Sequence, residues 1–428
     1  MRFKEIKEER FGITYYELKH ESGLPIYVCP KEGFRSCYAV IGTKFGSMNA
    51  EFIHNGSRIT VPDGTAHYLE HKLFESEEGD AFTQYAKTGA SANAYTSFDN
   101  TCYLFSCTER FDESLGILFD LIQSPYFTPE TVAKEQGIIG QEIKMYDDSP
   151  DWRVTMNLLQ AMYQNHPINK DIAGTVETIA EITPEILYEC YHSYYNLNNM
   201  VLCIAGNVSP EDVLKIADEK LKPNEAVSTE SIFPEEPYEV KQGYVEQALP
   251  VALPMFALGF KEQAGTEYAG TKDLLCTSIL LEAFAGEGSE LYRRLLDNRL
   301  INSTFGTEYM EGKGYRAVIF EGESADPAAA AEMIKEAVRE LHEKGVAMDM
   351  FENAKKCTYG RIARGLDSPS SIATGMLNAA FTGKKMFASA EMISEITLQD
   401  VNDRLKQQLD PDNCTLSVIK GIEGVTEA

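Results

Sequence analysis

Two histidines four positions apart, His67 and His71, bracket Glu70 within the stretch VPDGTAHYLEHKLFE, residues 61–75. On a helix, side chains at this spacing sit one above the other on the same face, with Cβ atoms about 5–6 Å apart. Both imidazoles can then reach one tetrahedral zinc ion. Glu70, three residues after His67, projects close to that face, where it can take a proton from a metal-activated water without binding the metal. The alternative is two surface histidines on a charged helix, and a third ligand decides between the two.

A third ligand is available further along. Thr128-Pro129 is a helix start, an N-cap residue followed by proline at the first helical position. The helix is expected to run to about Tyr146 and stop before Asp148-Ser149-Pro150. Glu135 and Glu142 are seven residues apart, close to two full turns, and share a face with Ile138 and Ile139 between them. Carboxylates in line with an apolar stripe should be buried, and buried charge must be paired or metal-bound. A solvated outer face is the competing reading, and the isoleucines count against it.

The elements that must position these residues follow from periodicity. Strand patterns occupy 13–18, 24–28 and 37–43, ahead of the histidine helix, for which Asp63 or Thr65 is a candidate cap. A strand at 101–107 and helical periodicity over 111–124 follow, and 200–205 reads as an apolar strand. The stretch 223–243 is acidic, carries Pro223, Pro234 and Pro237, and reads as a linker between a domain at 1–222 and another at 244–428. A chain of 428 residues is too long for one core. The net charge of −27 argues against nucleic acid and anionic membranes as partners. The longest apolar run, 248–260, is broken by Pro250 and Pro254 and is too short to cross a bilayer. With no secretion signal at the N-terminus and 9 scattered cysteines, the expected setting is the cytoplasm, with reduced thiols. Gly286-Glu287-Gly288-Ser289 lacks the lysine of a phosphate loop. His20, His54, His166, His192 and His342 are isolated and expected to be structural.

The second half repeats the order of the first. A strand at 252–260 leads to a helix containing Ile279, Glu282 and Ala283, a strand-rich region at 303–322, a helix at 326–344, and a long helix ending before Asp367-Ser368-Pro369. That landmark echoes Asp148-Ser149-Pro150. The alignment puts Ile279, Ala283 and Arg361 where His67, His71 and Glu142 stand, while Glu282 matches Glu70. One competent and one silent copy are expected.

His-x-x-Glu-His at 67–71, followed by Glu-x6-Glu at 135–142 in a duplicated α+β chain, resembles the pitrilysin/insulinase metallopeptidases, the inverzincins. The resemblance continues through Phe74, Gly89, Asn93-Ala94, Thr96, Asp99, Thr101 and Tyr103, then 200–206, Ala257–Phe260 and Gly286–Leu291. It implies an α+β fold of two homologous domains, each a mostly antiparallel sheet packed with helices, together forming half of a clamshell chamber. It also implies Zn2+ held by His67, His71 and Glu142, with Glu70 as general base and Glu135 as a supporting carboxylate. Asn93, Ala94 and Thr96 match the family's edge strand, to which a peptide substrate adds as a further strand; an ordinary edge or loop is the other reading of that stretch.

Two departures stand out. The Gly-Thr that commonly follows the zinc helix is Ser76-Glu77 here. Active family members also carry an Arg followed seven residues later by a Tyr, which stabilise the developing oxyanion. Leu296 and Ser303 occupy those positions, and no Arg-x6-Tyr pair occurs in the chain. The expectation is therefore a zinc metalloendopeptidase of short or unstructured peptides, working as a heterodimer with a homologous subunit that lacks zinc ligands, or as a homodimer. A non-catalytic scaffold of the same fold and a maturation protease for one modified peptide are the alternatives.

Overall fold

The structure is a computed structural model and describes residues 3–77 and 79–422. Its residues fall into two compact units.

The first unit is built on a seven-stranded sheet of β1 (Lys4–Glu8), β2 (Ile13–Lys19), β3 (Pro25–Pro30), β4 (Cys37–Thr43), β5 (Ser91–Thr96), β6 (Thr101–Cys107) and β7 (Met200–Gly206). The spatial order is β1-β2-β3-β7-β4-β6-β5, antiparallel throughout except that β3 and β7 run parallel. In β7 every residue is buried, and in β4 all but Tyr38, which is why these strands read as near-continuous apolar runs. The edge strand β5 is at best half-buried along its whole length. On this unit lie helices α1 (Thr65–Leu73) and, up to Ile143, α2 (Pro129–Asp147).

The second unit also holds α3 (Pro150–Met162) and a five-stranded sheet of β8 (Tyr244–Leu249), β9 (Met255–Lys261), β10 (Gly306–Gly312), β11 (Tyr315–Glu323) and β12 (Cys414–Gly421). Its order, β8-β12-β9-β11-β10 with only β8 and β12 parallel, reproduces β3-β7-β4-β6-β5. The duplication is thus explicit in strand order and direction. Helices α4 (Thr271–Ala285) and α5 (Met348–Gly365) follow the places of α1 and α2 in the chain, and α6 (Pro369–Thr382) that of α3.

The two Asp-Ser-Pro landmarks have one local meaning. Ser149 and Ser368 are N-caps, accepting from the backbone N–H of Trp152 and Ser371, and the following proline opens the helix. The helices they start then exchange partners. Helix α3 packs on β9 and β12 of the second unit, while α6 packs on β4 and β7 of the first. A glycine in each central strand makes room for the incoming helix: a Cβ at Gly259 would overlap Met162, and one at Gly42 would press on Phe381. The compact units accordingly take residues 144–170 into the second and 363–390 into the first. The expected boundaries at 222 and 244 followed chain order, which does not reveal such an exchange.

Several local expectations need correction. The stretch expected as linker contains a short strand, Thr229–Ser231, paired with Glu51–His54 in the first unit. Strands β1 and β8 were not foreseen because each is a largely exposed edge without an apolar face. The strand expected from 252 begins at Met255, after Pro254, which has no N–H to give to a ladder. Neither Asp63 nor Thr65 caps α1. Its N-cap is Gly64, in the left-handed region at φ 91°, and a Cβ there would overlap the carbonyl oxygen of Ala173. Gly64→Ala combines backbone strain with that overlap, so it should lower stability by at least ~1–3 kcal/mol. A thermal melt unchanged from wild type would contradict this.

Candidate metal centre

Helix α1 is nearly submerged: of its nine residues only His71 is not buried. Its C-terminal end is fixed by Phe74, which stacks on Phe82 at 4.4 Å and leans on Tyr103 at 5.9 Å. Helix α2 is held to α1 by the Tyr68 hydroxyl, which donates to the Val132 carbonyl. It buries Val132, Ile139 and Ile143. Ile138, expected to share that stripe, is instead 50% exposed. At about 100° per residue it falls to one side of the line through Glu135, Ile139 and Glu142.

This docking brings together the residues singled out by spacing. His67, His71 and Glu142 each offer a donor atom, and the three atoms lie within 4.8 Å of one another. His67 Nε2 is 3.7 Å from Glu142 Oε1, and His71 Nε2 is 3.4 Å from Glu142 Oε2. A tetrahedral zinc ion with bonds of about 2.0–2.1 Å spaces its donors roughly 3.4 Å apart. Two imidazole nitrogens and one carboxylate at these separations therefore fit zinc with little adjustment. Glu135 is not in this triangle. Its Oε1 lies 3.0 Å from His71 Nδ1, the ring nitrogen facing away from Glu142. That bond fixes the ring and makes Nδ1 the protonated nitrogen when Nε2 binds a metal. His67 Nδ1 is buried and has no partner among the described residues.

Glu70 stays outside the triangle, 8% exposed, and accepts a hydrogen bond from the Thr96 hydroxyl at 2.7 Å. Of the three edge-strand residues, Thr96 thus turns toward the centre. Asn93 Oδ1 accepts from the Ala94 N–H at 2.9 Å, and both lie on the open edge of β5. The hydroxyl contact was invisible to sequence reasoning because Thr96 and Glu70 are distant in the chain and meet only through the sheet.

The electrostatics are those of closely packed opposite charges. The hydrogen-bonding imidazoles of His67 and His71 hold the Glu142 carboxyl far below the usual carboxylate range, outweighing burial. The His71 hydrogen bond likewise lowers Glu135. Burial pushes His71 down, but Glu135 and Glu142 more than reverse this and raise it to about 10. Burial raises Glu70 despite His67 and Thr96.

The second unit resolves the same geometry differently. Ile279 and Ala283 are buried, and Arg361 Nη2 donates to Glu282 Oε2 at 2.7 Å. The aligned positions thus carry an ion pair rather than metal donors; the repeat alignment pointed to a silent copy but not to this pair. Leu296 is exposed and offers no hydrogen-bond donor. Among the other histidines, His20 sits between Ser22 and Asp218 at 2.9 Å each, but Ser22 is 2% exposed, which makes this a buried turn lock. His166, buried and lowered to about 4 mainly by that burial, is bonded to the Lys313 carbonyl.

Comparison with known proteins follows the same outline. Residues 47–176 match the family model described as Insulinase (Peptidase family M16), and residues 181–357 match the Peptidase M16 inactive domain. An uncharacterized zinc protease, YmfH of Bacillus subtilis, is 38% identical over 430 residues, covering 96% of this chain and 98% of that protein. A crystal structure of a putative M16-like peptidase from Alicyclobacillus acidocaldarius superposes with TM-score 0.92 at 33% identity, covering 99% of both chains. The mitochondrial-processing peptidase subunit beta of Caenorhabditis elegans is 30% identical over 194 residues, 44% of this chain and 42% of that one.

With Glu135 and Glu142 raising His71 to about 10, a metal at Nε2 competes with a proton near neutral pH. Calorimetric zinc titration in buffers of different ionisation enthalpy should show about one proton released, with affinity rising roughly tenfold per pH unit from about 7 toward 9. Binding without proton release would contradict the raised value.

Proposed function

Since the chain belongs to the insulinase (M16) peptidase family, we propose that it is a zinc-dependent endopeptidase that hydrolyses short or unstructured peptides in an enclosed chamber. The observation that carries this reading is the approach of both Nε2 atoms to the two oxygens of Glu142. His67, His71 and Glu142 would hold the zinc, and Glu135 would orient His71. Bound zinc supplies a Lewis acid that polarises the scissile carbonyl and makes water a nucleophile near neutral pH. Glu70 accepts the proton of the attacking water and delivers it to the departing amine. Its buried, raised carboxyl suits both directions of transfer. An extended peptide pairs with the free edge of β5 at Asn93 and Ala94, replacing the Asn93 side chain on the Ala94 N–H.

The missing Arg-x6-Tyr pair gives the centre a base but no such oxyanion donors, whose loss typically costs about 10²–10³ in rate. A homologous partner subunit without zinc ligands would supply them. That reading is favoured by relatives named as subunits, such as the beta subunit above, and a homodimer is the simpler alternative. A scaffold of the same fold is a weaker reading, because it leaves the donor triangle and Glu70 without a use. No described helix is long and apolar enough to cross a membrane, and the cytoplasm is the proposed location.

Glu70→Gln should retain one zinc per chain and lose on the order of 10²–10⁴ in kcat on quenched fluorescent peptides. Undiminished turnover in that variant would remove the base assignment. The chain assayed alone should fall well short of the rate reached with its partner, and full activity from the isolated chain would rule the partner out.

A further inference from the structure

Thr96 belongs to the strand that would bind substrate, yet its hydroxyl is committed inward. The bond to Glu70 Oε2 at 2.7 Å is, among the described residues, the only hydrogen bond that carboxylate receives. The terminal torsion of a glutamate is broad and roughly two-fold. A carboxylate with one hydrogen bond therefore takes its orientation from that bond.

The donor is itself fixed from behind. Thr101 stands directly opposite Thr96 in the β5–β6 register, with the two hydroxyls 3.3 Å apart. Each hydroxyl has a single hydrogen. That of Thr101, fully buried, goes to the Phe45 carbonyl at 2.7 Å. Thr101 can then only accept from Thr96, so the Thr96 hydrogen chooses between a neutral oxygen at 3.3 Å and a carboxylate at 2.7 Å. The shorter, charge-assisted bond prevails. The hairpin beyond is tied by Ser97 N–H to the Asn100 carbonyl at 2.8 Å, and by Ser47 and Met48 N–H to the Ser97 and Phe98 carbonyls at 3.0 and 2.9 Å. With its χ1 restricted by β-branching, Thr96 presents one hydroxyl at one place.

We propose that Thr96 is a positioning residue for Glu70, holding its carboxylate in the orientation needed for proton transfer, while Asn93 and Ala94 of the same strand carry the peptide. The inference rests on the general-base reading of Glu70. It separates two roles within one short strand: backbone and Asn93 toward substrate, one hydroxyl toward the base.

The test compares Thr96→Val, which keeps the shape and removes the hydroxyl, with Thr96→Ser, which restores it; Thr96→Ala serves if valine packs badly. The expected result is a loss of about 10- to 100-fold in kcat for Thr96→Val at unchanged KM and unchanged zinc content, as for a hydrogen bond to a charged group. Thr96→Ser should lie within about threefold of wild type. Crystal structures of the metal-free proteins give a second readout that needs no activity. The Glu70 carboxylate should keep one orientation in wild type and Thr96→Ser and spread over several in Thr96→Val. A raised KM at constant kcat would make Thr96 a substrate contact and overturn the proposal, as would loss of zinc from Thr96→Val or a Glu70 that stays in place without the hydroxyl. Glu70→Gln, measured alongside, separates the failures. If it remains active, the base reading itself falls; if it is inactive while Thr96→Val behaves as wild type, only the positioning role falls.

Discussion

The site depends on one helix contact, the docking of α2 on α1 through the Tyr68 hydroxyl and the buried Val132, Ile139 and Ile143. Without it the two imidazoles of α1 would have no third donor. With it, three carboxylates and two imidazoles are packed into a partly buried volume, and such a collection needs compensating positive charge. The same demand raises the proton affinity of His71, which Glu135 and Glu142 both favour. A divalent cation is the stronger form of the same compensation. The arrangement that attracts the proton also spaces its donors for zinc.

The duplicated second unit is the contrasting case. It keeps the strand order and a carboxylate at Glu282, but replaces one imidazole position by Ala283, the other by Ile279 and the distant carboxylate by Arg361. The guanidinium and Glu282 neutralise each other directly, so no cation is called for. Of two copies of one topology, one thus carries a permanent side-chain charge beside its carboxylate, and the other a set of donors that an exchangeable cation would fit.

What the sequence disclosed, and what it hid, follows from the range of the forces involved. His67, Glu70 and His71 were legible because four-residue spacing on one helix is a local property, and Glu142 because seven residues return to the same face. The same logic misplaced Ile138, since a stripe has width and its border residues can face solvent. The cap of α1 was misread because Gly64 acts through its backbone against Ala173, far along the chain. The exchange of α3 and α6 between units, and the Thr96–Glu70 bond, are tertiary facts with no local signature. Most strands with an apolar face were found, but the buried central strand β12, far from the rest of its sheet in the chain, was missed, as were the polar edges β1 and β8.

The most direct measurement is zinc affinity of the purified chain against Glu142→Gln, a near-isosteric change that removes the charge at the meeting point of the two helices. One zinc should bind per wild-type chain, and the variant's affinity should fall by at least about a hundredfold with α-helical content unchanged. Wild-type protein that takes up no zinc from a zinc-replete medium, or a variant that binds it as tightly, would contradict the claim that these three side chains form a metal centre.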